Sequence, residues 1–389
     1  MLTDLLQPEI QQFIRRHTDD DLRTLALSKN PFPSVSWNAI LNQIAGRQKA
    51  KTKLPTWYSA QNIIYPTRIS VEQTSSEVTA QYKSKLVSGE SLADLSGGFG
   101  VDSYYFSKSV SEVFHCERDI ELHQVAKHNF KALGSDNISC ETESLQFLEQ
   151  SARKFDWIYV DPSRRSDAGR VFILSDCEPN VIDLMPTYFN HTDKILIKAA
   201  PLLDITAALT QLNHVASVHI VAVKNEVKEL LFSIDKIYNS RPKFRTVNIT
   251  PDSTDIFDFD SDSALAPLAL PSTYLYEPNA AIMKSGGFEQ IAIAFNLNKL
   301  HRNSHLYTSD VLVNDFPGRI FKVDRPIGYT KSDMKELSSL KANVTVRNFP
   351  DSVETIRKKW KIKDGGATYC FFTTDMNNDK IALICSKIK

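Results

Sequence analysis

The sequence has no long apolar run, few cysteines and no net charge. No stretch reaches the roughly 18 consecutive apolar residues that a membrane-spanning helix needs. The N-terminal segment MLTDLLQPEIQQF lacks the basic and apolar regions of a secretory signal, so we expect a cytoplasmic protein. The five cysteines are odd in number and lack metal-binding spacing. A disulfide framework or a C-x-x-C metal site is therefore not indicated, and reduced, mostly buried thiols are expected.

Internal repeats and long low-complexity tracts are absent too, and the hydrophobic fraction of 42% is that of an ordinary globular protein. The stretch DFDSDS suggests an EF-hand loop, but Ser263 and Ala269 stand where that loop needs Gly and Glu. The sequence therefore argues against a calcium site of that kind. At 389 residues the chain exceeds the size of one hydrophobic core, so two or three domains are expected.

Charge is balanced over the whole chain but not along it. Residues 317–389 carry 15 Lys and Arg against 8 Asp and Glu, which is a local excess of positive charge. This asymmetry favours an anionic partner for the C-terminal part of the chain. The alternative is an ordinary small domain with solvated charged faces.

The apolar pattern predicts helices first and a sheet afterwards. Before residue 88, apolar residues recur at three- and four-residue spacing, which is typical of helices. Thr74 and Glu77 have the spacing of a capping box, so one helix is expected over about residues 76–87. After Gly89, short apolar runs alternate with segments of helix length, which predicts an α/β fold with a mainly parallel sheet.

Seven strands are predicted: 91–95, 112–117, 138–142, 156–161, 194–199, 217–223 and 229–234. Only KNEVK separates the last two, so these two strands should pair antiparallel. Five parallel strands followed by such a hairpin resemble the Rossmann-like sheet of class I methyltransferases.

The acidic stretch 248–273 is rich in Ser and Pro, which indicates a linker or an excursion between domains. Beyond it we expect a small α/β unit and then a strand, a helix and paired strands. The predicted regions are an N-terminal helical region (1–88), a class I methyltransferase domain (89–247), a linker with a small domain (248–320) and a last α+β domain (321–389).

Glycine is concentrated in DLSGGFGVDS, at the predicted end of the first strand, where an open α/β sheet binds its ligand. Asp94 to Gly100 fits D-x-S-x-G-x-G, close to the D-x-G-x-G-x-G loop of class I S-adenosylmethionine-dependent methyltransferases, with Ser96 replacing the first glycine. Gly98 and Gly100 would let the backbone approach a cofactor. A glycine turn needed only for packing is the alternative. A dinucleotide pattern fits less well, because Ser103 stands where it needs glycine.

Two further carboxylates fall at the ends of neighbouring strands. Glu117 ends the second strand, where an acceptor for ribose hydroxyls is needed. Glu143 follows the third strand and could accept from an adenine amino group. For both residues a solvated carboxylate is the alternative.

The fourth predicted strand is followed by DPSRR. Pro162 removes an amide donor and fixes φ, so that Asp161 can be directed at a methyl acceptor. The motif departs from the D-P-P-aromatic loops of enzymes that methylate nucleic-acid or protein nitrogens. Arg164 and Arg165 could bind phosphate. Pairing with a carboxylate such as Asp102 is the alternative.

Several segments together resemble a bacterial family of class I methyltransferases with a ferredoxin-like domain and a C-terminal THUMP-like domain. They are EQTSSEVTAQYKS, DLSGGFGVDS, DPSRR, IKAAPLLDI, YEPNAAIMKSG, FPGRIFK and VTVRNFPDSVETIRKKWKIKDGG. The resemblance covers the chain from about residue 45 onward. It implies S-adenosylmethionine as cofactor and, by analogy with the THUMP domains of tRNA-modifying enzymes, RNA as substrate.

The resemblance also implies roles for individual residues. Asp161, with Pro162 beside it, would orient the methyl acceptor. The expected cofactor-binding residues are Gln73, Ser75, Asp94, Ser96, Gly98, Gly100, Asp102, Glu117 and Glu143, and the expected substrate-binding residues are Arg164, Arg165, Lys198, Arg347, Lys358 and Lys359. Helix capping is the alternative for Gln73 and Ser75, and a solvated surface position is the alternative for Lys198.

We therefore expect a metal-independent methyltransferase that uses S-adenosylmethionine and acts on tRNA or rRNA. One alternative is a non-catalytic RNA-binding protein that retains the fold, which Ser96 and the altered DPSRR loop suggest. Another is a methyltransferase that acts on a protein or a small molecule.

Overall fold

The computed structural model describes residues 2–164, 173–261 and 264–389. The chain forms two compact units: Met1–Ala216 with Leu230–Ser240, and Ser217–Glu229 with Arg241–Lys389. Within the described ranges, no helix combines the length and apolar character needed to cross a bilayer. None of the five cysteines is in a disulfide; four are buried, and Cys140 is partly buried.

The N-terminal part of the first unit is helical. Trp57 and Tyr65 are buried and share one hydrophobic core with Phe99 and Tyr105, which lie beyond the first strand of the sheet. The helical part therefore packs against the loop and the helices that follow the first strand. The helices are α1 (Leu2–Leu5), α2 (Pro8–Arg16), α3 (Leu22–Ala26), α4 (Trp37–Lys53), α5 (Pro55–Ser59), α6 (Arg68–Gln73) and α7 (Glu77–Ser84).

Helix α7 occupies the predicted position, but its cap is not the predicted one. Ser76 is the N-cap, and its side chain accepts a hydrogen bond from the amide of Thr79. Thr74 instead follows the end of α6. Glu77 accepts hydrogen bonds from Thr56, so its carboxylate does not complete a capping box with Thr74.

A mainly parallel sheet follows, which confirms the predicted fold class. Its strands in the first unit lie in the order β9-β7-β4-β1-β2-β3. All of these pairs are parallel except β7 with β9. The strands are β1 (Gly89–Asp94), β2 (Val110–Cys116), β3 (Ile138–Glu141), β4 (Trp157–Val160), β7 (Lys194–Ala199) and β9 (Glu226–Asp235), of which β9 begins in the second unit.

Helices connect these strands, as parallel pairing requires. They are α8 (Val101–Phe106), α9 (Ile120–Ala132), α10 (Ser144–Gln150), α11 (Val181–His191) and α12 (Ile205–Gln211). Between β4 and α11 lie a two-stranded antiparallel ribbon, β5 (Ser163–Arg164) with β6 (Cys177–Glu178), and a short 3₁₀ helix, Leu174–Asp176.

The second unit begins with the predicted hairpin. Strands β8 (Val215–Val223) and β9 are neighbours, joined by Lys224 and Asn225. Both turn residues have positive φ, as a two-residue hairpin turn requires. Strand β8 also pairs in parallel with β10 (Lys243–Ile249), which pairs antiparallel with β11 (Thr254–Asp260).

Strands β10 and β11 are absent from the predicted strands, and β11 occupies part of the predicted linker. The segment TDIFDFD is acidic, but its apolar and acidic residues alternate, which places Phe257 and Phe259 on one face of the strand and Asp258 on the other. Phe257 is buried, and Phe259 stacks on Phe244 with ring centroids 5.1 Å apart. Burial of the phenylalanines therefore stabilises a strand in a segment whose composition resembles that of a linker.

One seven-stranded sheet fills the rest of the second unit, in the order β13-β14-β12-β15-β18-β17-β16. Its helices are α13 (Ala280–Ser285), α14 (Phe288–Ala294) and α15 (Val353–Trp360), with a 3₁₀ helix at Asp333–Leu337. Its strands are β12 (Tyr274–Pro278), β13 (Asn298–Lys299), β14 (Tyr307–Ser309), β15 (Gly318–Gly328), β16 (Lys341–Val346), β17 (Lys363–Thr374) and β18 (Lys380–Lys387). The predicted antiparallel pair at the C-terminus is β17 with β18.

Candidate functional site

The glycine-rich loop lies where β1 ends and α8 begins, at the carboxyl edge of the parallel strands. Gly100 is the N-cap of α8 and has a left-handed conformation. The amide of Gly97 donates to the carbonyl of Cys116 at the end of β2 (2.9 Å). The loop is therefore fixed to both neighbouring elements.

The three glycines of this loop have different surroundings. A Cβ on Gly97 would lie 2.2 Å from the His115 ring, and one on Gly100 would lie 2.4 Å from the Phe130 ring. A Cβ on Gly98 would meet only the Ser96 carbonyl oxygen, at 3.8 Å. Gly97 and Gly100 therefore serve packing, whereas Gly98 faces open space.

Asp94 is fully buried beneath the loop. It accepts hydrogen bonds from the Ser103 hydroxyl (2.5 Å) and from the amide of Ser96 (3.1 Å). Ser103 also contacts Nδ1 of His115 (2.9 Å). Burial raises the pKa of Asp94 to about 7 and lowers the pKa of His115 to about 3. Sequence reasoning missed Ser103 and His115 as supports of the loop, since no motif marks them.

Asp102 is the centre of a second buried network. It accepts from the hydroxyls of Ser75 and Tyr159 (2.8 Å each) and pairs with Lys83 at 3.2 Å. Burial alone would raise its pKa, but the charges of Lys83 and Lys198 and these hydrogen bonds lower it. Ser75 thus bonds to Asp102 and does not cap α7. Lys83 is another residue that the sequence analysis missed.

Most predicted cofactor-binding residues line one cleft of about 570 Å³ at this edge of the sheet. The predicted residues that line it are Gln73, Ser75, Asp94, Ser96, Gly98, Asp102, Glu117, Glu143 and Asp161. Gly100, Pro162 and Lys198 are not among the lining residues. Glu117 accepts from the amides of Gly98 and Asp119 (2.8 Å each), so it is a fixed carboxylate and not merely a solvated one.

Six carboxylates and one arginine are the charged groups among the described lining residues. The arginine, Arg118, pairs with Glu178 (3.0 Å). Three of the six carboxylates have a cationic partner, and the raised pKa of Asp94 leaves it partly neutral near pH 7. Glu117 and Glu143 therefore give the lining its negative charge, which favours a positively charged ligand.

Asp161 and Lys198 form an ion pair beside this cleft. Only 13% of the Lys198 side chain is exposed, so the alternative of a solvated surface lysine is wrong. The amide of Asp161 donates to the Ser96 hydroxyl (2.6 Å). The serine that replaces the first motif glycine thus ties the glycine loop to the DPSRR loop. Pro162 is buried next to Asp161.

The arginines of DPSRR fall where a described range ends, at residue 164. Arg164 lies in β5, but its side chain is outside the described part of the structure, and Arg165 lies outside the described residues. The phosphate contact of these arginines and their pairing with a carboxylate such as Asp102 stay predictions.

The predicted substrate residues of the second unit have different surroundings. The buried Glu277 pairs with Arg347 (2.8 Å) and with Arg319. Arg347 is therefore fixed by Glu277, while 36% of its side chain stays exposed. Lys358 and Lys359 are both exposed, and Lys359 lies 4.7 Å from the centre of the Tyr329 ring and donates to the Tyr329 hydroxyl.

Comparisons with known proteins identify the small domains first. Residues 274–317 match a ferredoxin-like domain model, and residues 318–387 match a THUMP domain-like model. Both matches lie in the seven-stranded sheet, where β12 of the first pairs with β15 of the second.

Two relatives match most of the chain. A crystal structure described as that of a candidate methyltransferase from Porphyromonas gingivalis W83 is 31% identical, with a TM-score of 0.90, and the match covers 100% of this chain and 99% of that one. An uncharacterised S-adenosylmethionine-dependent methyltransferase of Mycobacterium tuberculosis is 20% identical over 76% of this chain and 80% of its own length. The chain therefore belongs to the family of S-adenosylmethionine-dependent methyltransferases that carry a ferredoxin-like and a THUMP-like domain.

Proposed function

We propose that the cleft above Gly98 holds S-adenosylmethionine and that the methyl acceptor is RNA. The observation that carries the first part is the open space at Gly98, because the other two loop glycines face packed rings. Glu117, directly after β2, lines the cleft and would accept from ribose hydroxyls. The carboxylate-rich lining suits a cofactor with a cationic sulfonium.

The cofactor supplies an activated methyl group, so the protein mainly has to hold a nucleophile in line and exclude water. Asp161 would orient that nucleophile through a hydrogen bond. Lys198 fixes one carboxylate oxygen of Asp161, and Ser96 fixes its backbone. Asp102 and Lys83 hold Ser75 at the wall of the same cleft.

RNA as the substrate is supported by the THUMP domain-like match and by the positive charge of residues 317–389. Lys341, Lys358, Lys361 and Lys363 are exposed, and Lys341 lies opposite Lys363 on paired strands. Such lysines attract a phosphate backbone. A cytoplasmic location stays a prediction.

The experiment is incubation of the protein with methyl-labelled cofactor and separate tRNA, rRNA and protein fractions. We expect label in one of the RNA fractions. Label in protein alone would reject RNA as the substrate and leave the methyltransferase assignment standing.

A further inference from the structure

Tyr188 is a cleft residue with no role in the steps above. It lies on α11 and lines the same cleft as Asp161, although only 1% of its surface is exposed. Leu184 is four residues earlier on the same helix and also lines the cleft. One face of α11 therefore forms part of the cleft wall.

The Tyr188 hydroxyl receives and donates no hydrogen bond among the described residues. A buried tyrosine hydroxyl usually has a partner. The hydroxyl of Tyr159 bonds to Asp102 (2.8 Å), and that of Tyr276 bonds to the carbonyl of Val311 (3.0 Å). Burial raises the pKa of Tyr188 above its usual value, so the group stays a hydrogen-bond donor at neutral pH.

Asp161 provides a hydrogen-bond acceptor in the same cleft. Lys198 engages Oδ2 of Asp161, and no described residue donates to Oδ1. The cleft thus contains one unused donor and one unused acceptor. Pro179 and Leu184 line it too and offer apolar contact.

We propose that Tyr188 and Asp161 form the subsite for the methyl acceptor. The subsite would bind an uncharged planar group whose edge carries both an N–H donor and a carbonyl or ring-nitrogen acceptor, as nucleobases do. Tyr188 donates to the acceptor atom, Asp161 Oδ1 accepts from the N–H, and Leu184 contacts the face of the ring. This assignment rests on the proposed function, because an RNA base must leave its stack to enter such a pocket.

The test is Tyr188→Phe, which removes the hydroxyl and keeps the buried ring. The matched control is Tyr276→Phe, which removes a buried hydroxyl from the second unit. We expect Tyr188→Phe to lower kcat/KM for RNA about tenfold or more, because the bound acceptor loses its donor. Cofactor affinity by calorimetry and Tm should stay at the wild-type values, and Tyr276→Phe should keep wild-type kcat/KM.

Wild-type kcat/KM in Tyr188→Phe would overturn the assignment, as would a loss that comes entirely from weaker cofactor binding. If the wild type labels protein and not RNA, the proposed function fails, and the same two variants are then compared on the labelled protein. A kcat/KM that falls in Tyr188→Phe but not in Tyr276→Phe would support a subsite that binds the edge of an amide group. Equal kcat/KM values in the two variants would refute the subsite. A wild type that labels no fraction would overturn both proposals.

Discussion

Gly98 and Gly134 share a backbone conformation but not a location. Their φ values are +57° and +67°, and a Cβ on either would find no close neighbour within the protein. Gly98 lines the cleft, whereas Gly134 is an exposed residue just after α9. The same substitution at both glycines should therefore cause similar backbone strain, but only the one at Gly98 should also block a ligand.

We predict that Gly98→Val abolishes S-adenosylmethionine binding, because the side chain enters the space that the ligand needs. Gly134→Val is the control. Both variants should lose about 1–2 kcal/mol of stability from the left-handed conformation. Calorimetry with the cofactor checks affinity, and wild-type affinity in Gly98→Val would contradict the placement of the ligand.

Asp94 should make stability depend on pH. Its folded pKa of about 7 lies above the ordinary value of 3.8, so its stabilising contribution is complete below pH 4 and is lost as pH rises through 7. Its neighbour His115 has a lowered pKa and contributes in the opposite direction, between about pH 3 and 6.5. The difference between wild type and Asp94→Asn isolates the effect of the carboxyl group.

We predict that the stability of the wild type relative to Asp94→Asn falls by a few kcal/mol between pH 4 and 7 and is then constant. Urea unfolding at several pH values measures this difference. A difference that is flat or rises with pH would show that Asp94 is not a buried neutral acid below pH 7.

Asp161 can be tested apart from its neighbours. We predict that Asp161→Asn keeps cofactor affinity and lowers turnover about a hundredfold, because the nucleophile loses its oriented acceptor. Asp183→Asn, on the exposed side of α11, is the control. Wild-type turnover of Asp161→Asn on the true substrate would contradict the proposal that Asp161 orients the methyl acceptor.

At the scale of elements, sequence patterns located the parallel strands because their apolar runs are continuous. Strands β4 and β7 were predicted within one or two residues of their observed ends. Strand β11 was missed because alternate aspartates masked its buried phenylalanines. The seven-stranded sheet could not be foreseen either, since the pairing of β12 with β15 joins segments about 40 residues apart.

Glu277 on β12 connects the two small domains by pairing with Arg319 of β15 and with Arg347, just after β16. We predict that Glu277→Gln lowers the free energy of unfolding by about 2 kcal/mol, because two partly exposed guanidinium groups lose their charged hydrogen-bond acceptor. Asp258→Asn breaks the exposed pair with Arg245 and should cost less than about 1 kcal/mol. Urea unfolding measures both variants, and equal losses of unfolding free energy would show that the Glu277 pairs stabilise the fold no more than the exposed pair does.

At the scale of the molecule, most of the predicted cofactor-binding residues line one cleft, whereas the predicted substrate-binding residues are divided between the two units. Motif spacing predicted the residues that line the cleft, because the carboxyl ends of parallel strands lie at the same edge of the sheet irrespective of loop conformation. It could not find Lys83, which supports Asp102 from α7, or Tyr188, which lines the cleft from α11, because neither residue carries a motif. It also could not show that Glu277 engages Arg347, because the two residues lie 70 positions apart in the sequence.

The exposed lysines provide a prediction for RNA. We expect Lys358→Glu and Lys361→Glu to weaken RNA binding and to flatten the salt dependence by about 0.7–0.9 in logarithmic slope for each lost phosphate contact. Lys127→Glu, on α9 of the first unit, should leave both unchanged. Filter binding over a range of salt concentrations measures this, and slopes equal to that of the wild type would exclude these lysines from the RNA surface.

A crystal structure of the protein with S-adenosylhomocysteine tests the central claim most directly. The account predicts the adenosyl group over Gly98 with its ribose hydroxyls on Glu117, in the cleft that Asp161 borders. A ligand bound elsewhere, or a cleft filled by the protein's own side chains at saturating ligand, would contradict it.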